Sequence, residues 1–353
     1  MTTAKEGHAA AERVLAGRVR AGRVLVVGGF GAVGATVTAT LEGWFPGRVL
    51  PGGRSRGVRV DVADPDGLGR TLDALGDVAA VVLCVEPPGT GTARVCLERG
   101  VHLVDVGATP RLLDGVTALH ADAVRTGATA VLSVGLAPGL TNLLAARAHE
   151  EVGGADRIAL TVLLGSGERH GGDSVRWTVD GLAAPTGPAR PARFPLPGYG
   201  TRTAHPFPFS DQHTLRAGLG VPDVTTRLCL DSRALTAALF GARRAGLGRA
   251  ARHPRVRRAL TAAFGSVHVG GEGFAVRADA WRGERHAVHA LTGRAQSRVT
   301  GLVAARAARA ALTGALPPGV HHVERLPALA ALPEELARDG ALTLHRPADG
   351  RPR

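Results

Sequence analysis

Lysine is almost missing from this chain. Lys5 is the only one, set among alanines and mixed charges, so no lysine is placed to act as a general acid or to form a Schiff base. Tyrosine is as scarce. Tyr199 stands alone with no lysine four positions on, which excludes the Tyr-x-x-x-Lys pair of short-chain dehydrogenase chemistry. Aromatic residues make up 3% of the chain, so its net charge of +13 comes without interleaved rings on which bases stack. The excess is arginine in an Ala/Gly/Arg-rich composition, a pattern closer to coding bias than to a designed surface, and nucleic acid is not an expected partner. The three cysteines, Cys84, Cys96 and Cys229, show no ligand spacing and read as reduced core thiols, with no metal site expected. No apolar run reaches the ~18–20 residues that span a bilayer. Residues 1–21 contain no hydrophobic signal core, so a cytoplasmic location is expected. No Ser/His/Asp order stands out either.

With 353 residues, 44% of them hydrophobic, the chain has enough material for a large core, most simply as two domains. Its organising stretch is residues 23–34, Arg-Val-Leu-Val-Val-Gly-Gly-Phe-Gly-Ala-Val-Gly. A buried-type strand ends in a turn where Gly29, Gly31 and Gly34 make G-x-G-x-x-G, and small apolar residues then open a helix. In that pattern the first glycine permits the tight turn, the second lets the backbone approach a pyrophosphate, and the third lets helix and strand pack closely. The helix N-terminus adds partial positive charge for the phosphates. A bare G-x-G-x-x-G is weak in a chain with 49 glycines; its strand-before, helix-after context strengthens it.

The next segments repeat the alternation of strand and helix. The first helix is expected to run to about Trp44. A strand at 48–50 leads to Pro-Gly-Gly-Arg-Ser-Arg, and a third strand spans 58–62. A NAD-specific site would place a carboxylate after the second strand to hold the ribose 2′-hydroxyl. Arg54, Ser55 and Arg56 stand there instead, and guanidinium groups suit a 2′-phosphate, which favours NADP(H) over NAD(H). The alternative is two solvated arginines in an arginine-rich chain. Asp61 lies beside the adenine or merely caps its strand. A helix from Asp64-Pro65 to Leu75 precedes the apolar strand 79–85, which ends in Glu86-Pro87-Pro88-Gly89 at the carboxyl edge where doubly wound folds bind ligands. Further elements are a helix 92–99, a strand 101–106 ending near Asp105 and Gly107, one helix 110–126, and a strand 129–134. Gly-Leu-Ala-Pro-Gly-Leu-Thr-Asn (135–142) then opens a helix to about Val152. That start either faces the cofactor or has no ligand role.

Four stretches together resemble the saccharopine dehydrogenase family in its NADP-binding, reductase-like branch: 28–34, Gly-Gly-Arg-Ser (52–55), Val-His-Leu-Val-Asp-Val-Gly (101–107) and 135–142. The likeness covers residues 23–152 and continues thinly at Val175-Arg176-Trp177 and Thr300-Gly301. It implies an α/β fold: a Rossmann doubly wound parallel sheet, an inserted second α/β substrate domain, and a C-terminal helix returning to the first. The corresponding division is a tail at 1–22, an NADP-binding domain at 23–152, a substrate domain at 153–298, and the returning helix with a C-terminal tail at 299–353. The resemblance also implies reduction of an imine, or of a carbonyl, in an amino-acid-like or specialised-metabolite substrate. Candidate cofactor contacts are Gly28, Gly29, Phe30, Gly31, Ala32, Val33, Gly34, Arg54, Ser55, Asp61, Glu86, Pro87, Gly107, Gly135 and Pro138. The partners expected are a small-molecule substrate and a second copy of the chain in a homodimer.

The second half offers weaker candidates for catalysis. A strand at 157–164 ends in a glycine-rich loop carrying Glu168, Arg169 and His170, which either closes over a nicotinamide or is simply solvated. Asp173 or Ser174 is placed to cap the helix that follows. Residues 183–208, rich in proline and glycine, read as irregular; His205 within them is a proton-transfer candidate because imidazole titrates near neutral pH. Seven arginines between 243 and 258 make a basic segment, either a solvated helical face or a membrane-surface contact. Strands at 266–277 and 285–291 form a hairpin, a helix runs from Thr300 to about Thr313, and beyond Pro317 only a short helix near 333–338 and a loose tail are expected. A sensor that binds NADP(H) without turnover is the rival to an enzyme, and a peripheral membrane protein is a third reading.

Overall fold

The computed structural model describes residues 22–168, 172–185, 189–266 and 270–345; the 1–21 tail, Arg169 and His170 lie outside the described residues. The chain divides into two units, one built from residues 22–107, 111–134 and 301–329, the other from 108–110, 135–300 and 330–345.

In the first unit, β1 (Arg23–Val27), β2 (Val49–Gly53), β3 (Val58–Arg59), β4 (Val78–Leu83), β5 (His102–Asp105), β6 (Thr129–Leu132) and β13 (Gly319–His322) form one wholly parallel sheet. Their order is β13-β6-β5-β4-β1-β2-β3, so strand order reverses between β1 and β4, the switch point of a Rossmann-type doubly wound fold. Helices α1 (Ala32–Trp44), α2 (Pro65–Leu75), α3 (Gly91–Glu98), α4 (Pro110–Thr117) and α5 (His120–Thr126) make the crossovers. Successive residues Val24, Leu25, Val26 and Val27 are all buried, because both faces of a parallel sheet are covered. Leu68 and Leu72 of α2 and Leu97 of α3 join Leu25, Leu83, Leu103 and Leu132 in one core. Asp64 accepts the Gly67 amide at 2.9 Å and Pro65 opens α2, the capping chemistry its sequence announced.

The second unit holds a mixed sheet in the order β14-β12-β11-β7-β10-β9-β8. Its strands are β7 (Arg157–Leu164), β8 (Ala192–Leu196), β9 (Gly200–Pro206), β10 (Asp223–Leu230), β11 (Gly273–Arg282), β12 (Arg285–Arg294) and β14 (Leu342–His345). Only β7 and β10 run parallel; the other pairings are antiparallel. The helices are α6 (Thr141–Glu151), α7 (Gly172–Ala183), α8 (Asp211–Leu219), α9 (Arg233–Ala242), α10 (Pro254–Ser266), α11 (Gln296–Leu312) and α12 (Leu332–Arg338). A core of Val162, Leu182, Phe207, Phe209, Leu228 and Phe240 fills the space under α7 and α9. α11 begins in this unit and belongs to the first from Gly301 onward. There a Cβ on Gly301 would stand 2.7 Å from Thr36 Cβ and 2.8 Å from the Val33 carbonyl, and Arg309 lies over Trp44 at 5.0 Å, so the returning helix rests on α1.

The expected α/β class is the one observed, and several local readings are corrected. The stretch 183–208 is not irregular: it contains the β8–β9 hairpin, concealed because Pro195 sits in β8, an edge strand where a missing N–H costs no ladder bond. The single helix expected at 110–126 is two, since Leu119 (φ −86°, ψ 9°) leaves the helical region with no glycine or proline to announce it. The strand expected at 58–62 is reduced to two residues, because Asp61 and Asp64 already form the turn into α2. The C-terminal segment is not a loose tail before residue 346: it supplies β13 to the first sheet and β14 to the second.

Arg243 differs from the other arginines of the basic segment, since it donates to the carbonyls of Pro206, Gly181 and Ala184 and so ties α9 to α7. Arg244, Arg249, Arg252, Arg255 and Arg258 are exposed, and Arg257 meets Asp180 at 3.5 Å. Among the described residues no helix is long and apolar enough to cross a membrane. Cys96 and Cys229 are buried thiols, as expected, and Cys84 is partly so; burial pushes all three up to about 12, which keeps them protonated.

At Gly34 a Cβ would stand 2.1 Å from the Gly28 carbonyl oxygen, where helix and strand meet. Gly34→Ala is expected to cost about 2–3 kcal/mol of unfolding free energy by forcing α1 away from β1. Urea unfolding followed by circular dichroism measures it, and a midpoint equal to that of the parent protein would contradict this packing.

Candidate functional site

The turn between β1 and α1 sorts its own amides into two groups. Gly28 N donates to Gly52 O at 2.9 Å, Gly29 N to Val26 O at 3.1 Å, and Gly31 N to Gly28 O at 2.9 Å. These three hold the turn in shape. Gly28 takes φ +79°, a left-handed conformation in which a side chain would also strike Val85. Gly31 is the N-cap of α1 and its carbonyl receives the Ala35 amide, the first bond of the helix. The first-turn amides of Ala32, Val33 and Gly34 then have no intrahelical acceptor, as at every helix start. They point out of the end of the helix, where its dipole is positive, at the carboxyl edge of the switch point.

Beside this turn, at the end of β2, Arg54, Ser55 and Arg56 are exposed. The Arg56 guanidinium lies over the Phe30 ring at 4.6 Å, and Phe30 itself is 42% exposed. Gly57 (φ +66°) closes the turn beneath them, with no room for a Cβ against Pro51 O. Among the described residues no carboxylate lies within 4.0 Å of Arg54 or Arg56. The sequence candidates Gly28–34, Arg54 and Ser55 therefore come together. Asp61 instead binds its own turn, accepting the Ala63 amide at 3.0 Å, the strand-end role weighed for it.

Farther along the same edge, Glu86 is exposed and Pro87 buried after β4. Asp105, at the end of β5, is 3% exposed and accepts the Gly107 amide at 2.7 Å. Burial, with a smaller push from the Glu86 charge, raises its carboxyl to about 6, against the pull of the Gly107 bond. Gly107 thus engages its amide within the chain.

The second unit contains a buried polar network that sequence reasoning missed. The loop 135–140 leads into α6: Leu136 N donates to Thr300 Oγ1 at 3.3 Å and Leu140 N to Gly135 O at 2.9 Å, with a cis Ala137–Pro138 bond between. Asn142 Oδ1 accepts the Gly139 amide at 3.2 Å, and its Nδ2 donates to Thr214 Oγ1 at 3.0 Å. Thr226 Oγ1 donates to Asp211 Oδ1 at 2.6 Å. Asn142, Asp211 and Thr226 are fully buried and Thr214 nearly so. Burial raises the Asp211 carboxyl to about 6, although the Thr226 and Thr141 hydroxyls and the Gln212 amide favour its charged form. A Ser-Asp-Gln helix start reads as solvent-facing in a sequence, and only the tertiary packing reveals that Asp211 is inside. Gly135 and Pro138, nominated as cofactor contacts, belong to this unit and serve the loop that enters α6.

The remaining candidates take structural places. The His205 ring stacks on Phe240 with centroids 4.2 Å apart, and burial, with the charges of Arg244 and Arg243, holds its pKa below the usual imidazole range. It is therefore neutral at pH 7. Glu168 accepts the amides of Gln296 (2.7 Å) and Ser297 (2.8 Å), so its carboxylate caps α11 rather than a ligand. Arg169 and His170, the other two catalytic candidates, lie outside the described residues, as do the side chains of Asp173 and Ser174.

No family model matches the sequence. Solved structures similar to it include the diaminopimelate (DAP) dehydrogenase of C. glutamicum in complex with DAP, at 16% identity over 91% of this chain and 99% of that one, TM-score 0.46. An engineered D-amino acid dehydrogenase bound to NADP+ is similar at 16% identity over 90% and 99%, TM-score 0.47. The dipicolinate-bound dihydrodipicolinate reductase of Paenisporosarcina is similar at 10% identity over 87% and 99%, TM-score 0.40. None of the three bears the saccharopine name, so that finer assignment rests on the sequence motifs. Likenesses this distant add nothing to the reading of the site.

The raised Asp211 carboxyl fixes the sign of a pH effect. Its folded pKa, about 6, lies above the ~3.9 of an unfolded aspartate, so the folded chain binds more protons between those values. The stability it contributes is complete below pH ~4 and is lost as pH rises through 6. Asp211→Asn, neutral at every pH, is expected to abolish that pH-dependent loss, on the order of 2 kcal/mol, and to flatten the fall in thermal midpoint between pH 4.5 and 7.5. Calorimetry at the two pH values measures it; unchanged slopes would assign the titration to another group.

Proposed function

We propose that the chain is an NADP(H)-dependent oxidoreductase of saccharopine dehydrogenase type that reduces a C=N or C=O bond in an amino-acid-like or specialised-metabolite substrate. The observation that carries this reading is the β1–α1 turn, whose three first-turn amides face outward beside two exposed arginines that have no carboxylate partner among the described residues. The cradle suits a dinucleotide for a steric reason as well: a side chain at Gly28 would strike Val85 and one at Gly34 the Gly28 carbonyl, so the glycines preserve the turn that aims these amides outward.

On this reading Ala32, Val33 and Gly34 donate to the pyrophosphate, and Arg54 with Ser55 binds the 2′-phosphate by charge-assisted hydrogen bonds. Arg56, held over the Phe30 ring, adds a second positive charge for the same phosphate, and Phe30 presents an apolar face to the adenine. The bound nicotinamide supplies or accepts the hydride; the protein positions the two reactants and excludes water from between them. Asp105, raised to about 6, is a carboxyl that can hold a proton close to neutral pH at the same sheet edge. An imine is protonated readily in water, which agrees with a chain that has no Tyr-x-x-x-Lys pair and Lys5 as its one lysine. The saccharopine-type assignment is supported by the motifs at 28–34, 52–55, 101–107 and 135–142 taken together.

The double variant Arg54→Ala/Arg56→Ala tests the phosphate assignment. Each charge-assisted contact is worth about 1.5–3 kcal/mol, so NADPH affinity is expected to fall by about 100-fold while NADH affinity moves by less than about twofold. Isothermal titration measures both, and equal losses for the two cofactors would remove the 2′-phosphate reading. Turnover is tested by NADPH oxidation against a panel of amines paired with 2-oxo acids. Tight NADPH binding with no oxidation by any pair would replace the reductase with a cofactor-binding sensor.

A further inference from the structure

The second unit has a cleft of about 500 Å³ that no part of the cofactor reading uses. That volume lies within the range of small-molecule sites. One wall is apolar, formed by Pro185, Pro206, Phe207 and Pro208. Phe207 N donates to Thr226 O at 3.1 Å and its ring is turned into the core against Trp177 and Phe209, while the prolines on either side of it have no N–H to offer, so this part of the lining presents proline methylenes. Gln212 supports it from behind: its Nε2 donates to Phe207 O at 3.0 Å and its Oε1 accepts the Thr226 amide at 3.5 Å.

The lining also carries charge. Arg216 of α8 and Arg227 of β10 both line the cleft, with Asp223 and Thr225. Arg216 donates one Nη2 bond to Val224 O at 2.6 Å, and Arg227 donates Nε to Arg190 O at 3.0 Å. Each guanidinium has five N–H donors, so both keep several beyond these. Among the described residues no carboxylate oxygen lies within 4.0 Å of either one, Asp223 included. Arg227 is half-buried over Phe194, and burial lowers its pKa, the mark of a cation partly stripped of water without a full counter-charge.

We propose that this cleft binds a small monocarboxylate with an apolar body, its carboxylate on Arg216 and Arg227 and its body against Pro185, Pro206 and Pro208. Two guanidinium groups and the Asp223 carboxylate leave one net positive charge, which matches a monoanion; a phosphate dianion would over-neutralise the cleft beside Asp223. The planar forks of arginine suit a carboxylate in two-point contact. The site stands on residues of the second unit alone and does not depend on the cofactor assignment.

Phenylacetate is the probe, titrated into the full chain by calorimetry, with phenylacetamide as its neutral counterpart and inorganic phosphate as a competing anion. Saturable binding of one phenylacetate is expected, with phenylacetamide at least about tenfold weaker. Arg216→Gln and Arg227→Gln are each expected to weaken phenylacetate by about tenfold, and the exposed Asp223→Asn to tighten it by about threefold by removing a repulsive charge. Thermal midpoints of the three variants confirm folding, and Asp223→Asn keeps the test decisive if an arginine variant fails to fold. Absence of saturation up to about 10 mM, equal binding of the amide, phosphate binding tighter than phenylacetate, or weaker binding by Asp223→Asn would each overturn the proposal. NADPH titrated into the same preparations reports on the other site separately.

Discussion

The first unit depends on a close approach of backbone to backbone, the start of α1 against the end of β1. Gly34 and Gly28 meet where no side chain fits, and three amides of the turn are already bonded to carbonyls of Val26, Gly28 and Gly52. That internal bonding holds the turn rigid without help from a ligand. It also leaves the helix start with outward-facing donors, so packing and binding are consequences of one geometry. The arginines after β2 owe their position to the same place, because β2 pairs with β1 in parallel and delivers its end beside the turn.

The two buried carboxyls illustrate how a polar group is tolerated in an interior. Asp105 is held by a single amide, and Asp211 by Thr226 within a wider set that includes Asn142 and Thr214. Both are raised to about 6 because burial outweighs those hydrogen bonds. Asp231 shows the opposite balance. Burial would raise it too, yet bonds from Ser166 Oγ and from the amides of Gly271, Ser166 and Ser232 hold its carboxylate below the ordinary range. Four donors on a partly buried carboxylate suffice where one donor to Asp105 and three to Asp211, both buried, do not.

Elements with a strong local signature were legible in the sequence. The continuous apolar run 24–27, the Asp64-Pro65 cap and the glycine turn each express a local rule, and each stands where that rule puts it. Features decided by distant partners were not legible. Pro195 hides an edge strand, Leu119 breaks a helix without a breaker residue, and β13 and β14 are short segments whose pairing comes from strands far away in the chain. Glu168 reads as a ligand contact from its glycine-rich loop, and only the arrival of residues 296–297 shows that it caps a helix. Asp211 is the extreme case, since nothing in Ser-Asp-Gln distinguishes an interior acid from a surface one.

The two short strands β13 and β14 reach their sheets from far along the chain. β13 pairs with β6 at residues 319–322 and β14 with β12 at 342–345. Until those residues emerge from the ribosome, β6 and β12 each expose a hydrogen-bonding edge that the folded sheets cover, the kind of surface that recruits other chains. Each sheet reaches its seven strands only when that outermost strand has been synthesised.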